Sequence, residues 1–113
     1  MVLRLWRFRR HSIDVVEALA GHRSGRLVLV DVREAPERVR AFVPGSRHLP
    51  LAELEARLGE LPHERPVVFI CEDGRHSAVA AAIARRAGLG ARSVVGGMEA
   101  WQQHGLDFVR LIG

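Results

Sequence analysis

Two short apolar runs constrain this chain more than any other feature: "LVLV", residues 27–30, and "VVFI", residues 67–70. Each is short for a helix and carries no polar interruption. A strand with one wet face alternates apolar and polar residues, whereas a strand without alternation must be covered on both sides. Helical patterns flank both runs, and strands alternating with helices define a parallel α/β sheet with helices on both faces.

The remaining elements follow from local pattern. "SIDVVEALAG", Ser12 to Gly21, has Ser12 as a cap, apolar residues at Ile13, Val16, Leu19 and Ala20, and a glycine at its end, which predicts a helix over that span. Pro36 opens a short helix in "APERVRAF". Pro44 and Gly45 turn the chain into a short extended segment ending at Pro50. Leucines at 51, 54, 58 and 61 form a helical stripe that Gly59 and Pro62 end. An alanine-rich helix is expected to begin near Ser77 and stop at Gly88, followed by a strand in "ARSVVGG" and a last helix in "MEAWQQHG". With "RLWRFRR" read as an edge strand, the sheet is expected to be mainly parallel with about five strands.

At 113 residues and 48% hydrophobic content the chain suffices for one core and is too short for two. All 17 basic residues are arginine and the net charge is +4, which favours anionic ligands. The arginines are scattered and only "RLWRFRR" comes close to interleaving them with aromatics, so no nucleic-acid partner is expected. No run approaches the ~18 apolar residues of a membrane span, and the amino-terminal segment lacks the apolar stretch of a signal peptide. No membrane partner is expected. A single cysteine suits a reducing compartment, which makes the cytoplasm the expected location.

That cysteine, Cys71, stands at the carboxyl end of the second apolar strand, where open parallel sheets bind ligands. Glu72, Asp73, Gly74, Arg75 and His76 then form a short loop into the helix at Ser77. Loop N–H groups and the positive end of that helix are expected to converge on the sulfur, to favour its thiolate, and to hold an anion attached to it. Gly74 supplies the backbone freedom of a tight loop. An isolated cysteine reads more readily as core, since free cysteine is among the most buried residue types. The strand, loop, glycine and helix around Cys71 favour the functional reading.

Four segments in order resemble the rhodanese-like sulfurtransferases, specifically the single-domain ones. "LVLVDVRE" looks like the family's Asp-Val-Arg signature, and "FVPGSRHLPL" like its Gly-His-Ile-Pro-Gly-Ala segment followed by Ile-Pro. "CEDGRHSA" resembles its Cys-Arg-x-Gly-x-Arg-Ser-Ala loop, and "VVGGMEAWQQHGL" its closing glycine pair and helix. The resemblance implies one rhodanese-like domain over residues 1–113. It also implies a catalytic Cys71 that takes a sulfane sulfur, becomes a persulfide and passes the outer sulfur on, with residues Glu72, Asp73, Gly74, Arg75, His76 and Ser77 as the substrate loop. The donor would be a small anion such as thiosulfate or a protein persulfide, and the acceptor a thiol or a cyanide-like nucleophile. Neither metal nor organic cofactor is implied. Asp31 and Arg33 would lie at the sheet edge that frames the loop, where an ion pair joining two loops accounts for them. Gly96 and Gly97 are expected to turn beside the loop. Met98 and Trp101, three apart on the last helix, are expected in the core. His22, His48, His63 and His104 are dispersed without metal-ligand spacing and are expected at the surface.

Three departures from the family pattern bear on chemistry. Glu72 stands where the family commonly has arginine, His76 stands where arginine precedes the serine, and Ala41, Phe42 and Val43 replace glycine, histidine and isoleucine. Two acids beside a thiolate oppose it and repel thiosulfate. Arg75 offsets them with a permanent charge, and His76 does so only when protonated. The related phosphatases use a Cys-x5-Arg loop, but here the sixth residue after Cys71 is Ser77. A disulfide oxidoreductase would need a second cysteine. A binding or regulatory domain of the same fold, weakly active or inactive, is the remaining alternative.

Overall fold

Strands and helices alternate along residues 11–111, which the computed structural model describes. The order is β1 (Ser12–Ile13), α1 (Val15–Ser24), β2 (Val28–Asp31), α2 (Ala35–Arg38), β3 (Arg47–His48), α3 (Leu54–Arg57), β4 (Val67–Ile70), α4 (Arg75–Arg86), β5 (Ala91–Val94) and α5 (Gly97–Gln103). The expected edge strand in "RLWRFRR" lies outside the described residues. The sheet has five strands in the order β1-β5-β4-β2-β3, and every pair is parallel.

The two apolar runs lie side by side at its centre, with Val28 opposite Val67 and Asp31 opposite Ile70. Their side chains alternate between two cores. Val28, Val30, Val67 and Phe69 face Leu54 of α3 and Ala80, Ala81 and Ala84 of α4. Leu29, Val68 and Ile70 face Val15, Ala18 and Leu19 of α1 and Met98 and Trp101 of α5. Helices therefore cover both faces, as the uninterrupted runs require, and each large side chain so buried contributes roughly 1.5–3 kcal/mol. Small residues on α4 let that helix approach the sheet closely. Met98 and Trp101 are fully buried, as their spacing predicts.

Four expected boundaries differ. Asp14, not Ser12, caps α1 by accepting from the Glu17 N–H at 2.8 Å, because Ser12 and Ile13 are drawn into β1 beside β5. The helix also runs past Gly21 to Ser24 and ends at Gly25 in the left-handed region. Gly21 serves packing instead: a Cβ there would lie 2.4 Å from Leu27 Cδ2. The leucine stripe of residues 51–61 is not one helix. A single α turn, α3, sits between the 3-10 turns Leu51–Glu53 and Leu58–Glu60, since Pro50, Gly59 and Pro62 leave little length for α-type bonding. Finally, α4 begins at Arg75, ahead of the expected start near Ser77.

Candidate functional site

Three adjacent strands end together: β2 at Asp31, β4 at Ile70 and β5 at Val94. From β4 the chain leaves to the face covered by α4, and from β5 to the opposite face, covered by α5. That divergence opens a crevice at the carboxyl ends of the strands, the place where open α/β sheets hold ligands. Cys71 is the first residue beyond β4 and is 1% exposed.

The loop after it is shaped from two sides. The first amides of α5 donate to its carbonyls, Met98 N to Cys71 O at 2.8 Å and Glu99 N to Glu72 O at 3.0 Å. In a trans peptide the N–H points opposite the C=O, so anchoring these carbonyls on α5 turns the N–H groups of Glu72 and Asp73 away from it and sets the direction in which the loop leaves. Gly74 N and Ser77 N then donate to Cys71 Sγ at 3.1 and 3.3 Å. Gly74, at φ 98, permits the turn. Gly97, at φ 55, permits the close approach, because a Cβ there would lie 2.2 Å from Cys71 O and 2.8 Å from Glu72 O. The expected glycine turn beside the loop is thus the backbone on which the loop rests.

Ser77 Oγ lies 3.4 Å from the sulfur and 2.7 Å from Ser93 Oγ on β5. A thiol at Cys71 donates to the Ser77 hydroxyl. For a thiolate the hydroxyl rotates and donates instead, and Ser77 and Ser93 exchange roles without leaving a buried oxygen unpaired.

Beside the loop, Asp31 and Arg33 form the expected ion pair. Arg33 Nη2 reaches Asp31 Oδ2 at 2.8 Å and Arg33 Nε reaches Asp31 Oδ1 at 3.1 Å, with the Arg33 side chain 4% exposed. Arg33 also donates to Ala41 O and, at 3.3 Å, to Glu72 Oε1 in the cysteine loop. Burial pulls the Arg33 guanidinium down; hydrogen bonding to Asp31 and the charges of Asp31, Glu72 and Glu37 outweigh it and hold the group above its ordinary value. Arg38 ties the network to β3 through Asp31 Oδ2 at 3.2 Å and Ser46 O at 2.7 Å, and His48 Nε2 bonds Arg33 O at 2.7 Å.

The loop therefore gathers Cys71, Gly74 and Ser77 around one sulfur and sends the other residues outward. Glu72 turns to Arg33, while Asp73 accepts the Arg75 N–H at 3.0 Å and faces the Arg75 guanidinium. Each acid is thus met by an arginine, which moderates the opposition expected between these acids and a thiolate. Arg75 and His76 are exposed at the start of α4. The sequence reading missed Ser93, whose only signal is a hydroxyl beside the apolar Val94 in a short strand. It also missed a cavity of about 650 Å3 beside Glu72, lined in part by Arg40, Gln102 and Arg110.

The rhodanese-like domain model matches residues 14–104, and the chain belongs to that family. A sulfurtransferase of Allochromatium vinosum is 34% identical over 84 residues, covering 74% of this chain and 78% of that protein. A putative sulfur carrier protein of Bacillus subtilis is 40% identical over 76 residues, and the match spans 66% of this chain but only 41% of that longer protein. The solved structure of a rhodanese-related protein from Thermoplasma volcanium superposes with a TM-score of 0.82 at 26% identity, covering 90% of this chain and 99% of that one. The family and its relatives make this a domain of the sulfurtransferase class. Among the described residues no helix is long and apolar enough to cross a membrane.

Proposed function

We propose that this domain is a rhodanese-type sulfurtransferase that moves a sulfane sulfur through a persulfide on Cys71. The observation that carries the reading is the pair of backbone N–H groups, from Gly74 and Ser77, aimed at a single sulfur at the end of the central strand. Such donors stabilise negative charge on the thiolate and then on the persulfide that replaces it. In the first half-reaction the Cys71 thiolate attacks the sulfane sulfur of the donor. A new S–S bond forms, the donor's bond to that sulfur breaks, and its electron pair leaves with sulfite from thiosulfate or with a thiolate from a persulfide. In the second half-reaction a thiol or cyanide-like nucleophile takes the outer sulfur, and the pair of the broken S–S bond returns to Cys71. Electrons move only as these pairs, so no metal or organic cofactor is required.

Glu72, Asp73, Gly74, Arg75, His76 and Ser77 form the proposed substrate loop, with Asp31 and Arg33 supporting it from β2. Residues 1–113 act as a single domain in this reading, and a lone thiol that cycles through a persulfide points to the cytoplasm. The test is intact mass after exposure to thiosulfate, mercaptopyruvate or a persulfide-loaded cysteine desulfurase. The wild type should gain the mass of one sulfur and return it to cyanide or a thiol, whereas Cys71→Ala should fold and carry nothing. If the alanine variant turns over donor at the wild-type rate, or the wild type never gains sulfur from any of them, the transfer reading is wrong and a binding or regulatory domain takes its place.

A further inference from the structure

Arginines scattered along the sequence converge at the end of the fold opposite the sulfur. Arg26, Arg47, Arg65, Arg85 and Arg92 line three hollows of about 400, 460 and 230 Å3 at the amino ends of the strands. The hollows adjoin one another: the first two share Pro66 and Arg92, and the first and third share Leu27. They follow the edge of a five-stranded sheet, which spans roughly 19 Å at the usual strand spacing.

The fold does not use the charge it gathers there. Among the described residues none of the five arginines takes part in an ion pair. Arg26 and Arg92 make no side-chain hydrogen bond, and Arg47, Arg65 and Arg85 reach only the backbone carbonyls of Glu60, Gly25 and Ala91, at 3.1, 3.4 and 3.1 Å. Glu17 is the one acid lining these hollows, and it pairs with none of the five. Residues 1–10, which lead into β1, hold no acidic side chain. Burial pulls the Arg85 guanidinium below its ordinary value, and no carboxylate offsets it. Helix carboxyl ends attract cations, but of the five only Arg85 lies in a last helical turn.

Between the guanidinium groups the floors are apolar, formed by Ile13, Leu27 and Pro66 in the first hollow and by Leu89 and Ala91 in the second. A nucleic-acid backbone stays solvated and gains nothing from such floors. Its bases would find no phenylalanine or tryptophan there to stack on. A peptide presents side chains of both kinds, carboxylates for the guanidinium forks and apolar groups for the hollows.

We propose that the amino-terminal edge of the sheet is a docking surface for an acidic segment of a partner protein, one that intersperses carboxylates with apolar side chains. Arg26 and Arg92, free of any role in the fold, are its principal carboxylate contacts. The four residues of β4, roughly 13 Å of strand, separate this edge from Cys71, so a docked partner leaves the cysteine loop open. The surface does not depend on the sulfur-transfer reading.

The test uses the full chain and a fluorescein-labelled, glutamate-rich peptide with interspersed leucines, followed by fluorescence anisotropy at about 0.15 M salt. The double variant Arg26→Glu, Arg92→Glu should weaken binding at least about twentyfold, from about fivefold per position. Arg40→Glu with Arg110→Glu makes the same change of net charge beside Glu72 and should leave binding unchanged. Serine in place of the leucines should weaken binding at least about tenfold, because the hollows then stay empty. In the wild type, amide NMR shifts caused by the peptide should fall at residues 26, 65, 85 and 92 and spare residues 72–77. Equal weakening by both double variants, equal binding of the serine peptide, or shifts confined to residues 72–77 would overturn the proposal. Tighter binding of a single-stranded oligodeoxynucleotide of equal charge would overturn it in favour of a nucleic-acid partner.

Discussion

Between Cys71 and Ser77 the sulfur is met by backbone, through the N–H groups of Gly74 and Ser77. Between Asp31 and His48 charge is met mainly by side chains, with Arg33 and Arg38 both pairing Asp31 and Ser46 and His48 closing the network. A site built from backbone amides tolerates change in its exposed side chains, because its geometry depends on φ, ψ and the glycines that permit them. A network built from buried side chains has no such tolerance. Removing one partner leaves the other desolvated and unpaired. This contrast explains how Glu72 and His76 can stand where the family commonly has arginines while the sulfur keeps its ring of donors.

Substitutions on the two sides should separate them. The largest effect belongs to the side-chain network: Asp31→Ala strands the buried Arg33 guanidinium and should cost about 3–5 kcal/mol in urea unfolding. A loss under 1 kcal/mol would break the contrast. Gly97→Ala attacks the backbone side where it has no slack, since a Cβ there meets Cys71 O and the residue sits at φ 55. It should cost about 3 kcal/mol and change the iodoacetamide alkylation rate of Cys71, both visible in one preparation. Ser77→Ala removes one hydroxyl between the sulfur and Ser93, for about 1 kcal/mol of stability with the backbone donors intact. Substitution of an exposed loop side chain should leave the fold unchanged. His76→Arg should tighten apparent thiosulfate affinity about fivefold, near 1 kcal/mol for one added charge at an exposed site. Smallest of all, Glu72→Gln breaks a half-exposed pair with Arg33 and should move stability by less than about 1 kcal/mol. A thiosulfate affinity unchanged in His76→Arg would mean the anion is read elsewhere, with Arg75 the next candidate.

Much of this architecture was legible in residue order. The runs at 27–30 and 67–70 dictate strands covered on both faces, and the cysteine after the second run marks where the candidate site lies, because period and apolarity are properties of consecutive residues. Gly74, the glycine pair at 96 and 97, and the core placement of Met98 and Trp101 were likewise local signals. Other features depended on residues far apart in sequence. Whether Ser12 capped a helix or joined a strand was decided by the edge of β5, which offered Ile13 a pairing partner and a core. Gly21 looked like a helix stop and proved to be a contact for Leu27. The pairing of Glu72 with Arg33 crosses 39 residues, the Ser77 and Ser93 hydroxyl pair crosses 16, and the cavity draws Arg40, Gln102 and Arg110 from three separate segments. The sequence by itself determined the sheet, its double covering and the position of the sulfur, since these follow from the spacing of apolar residues along the chain. Only the tertiary structure decided which charges compensate one another and where unpaired guanidinium groups converge, because Coulomb and hydrogen-bond partners are selected by distance in space.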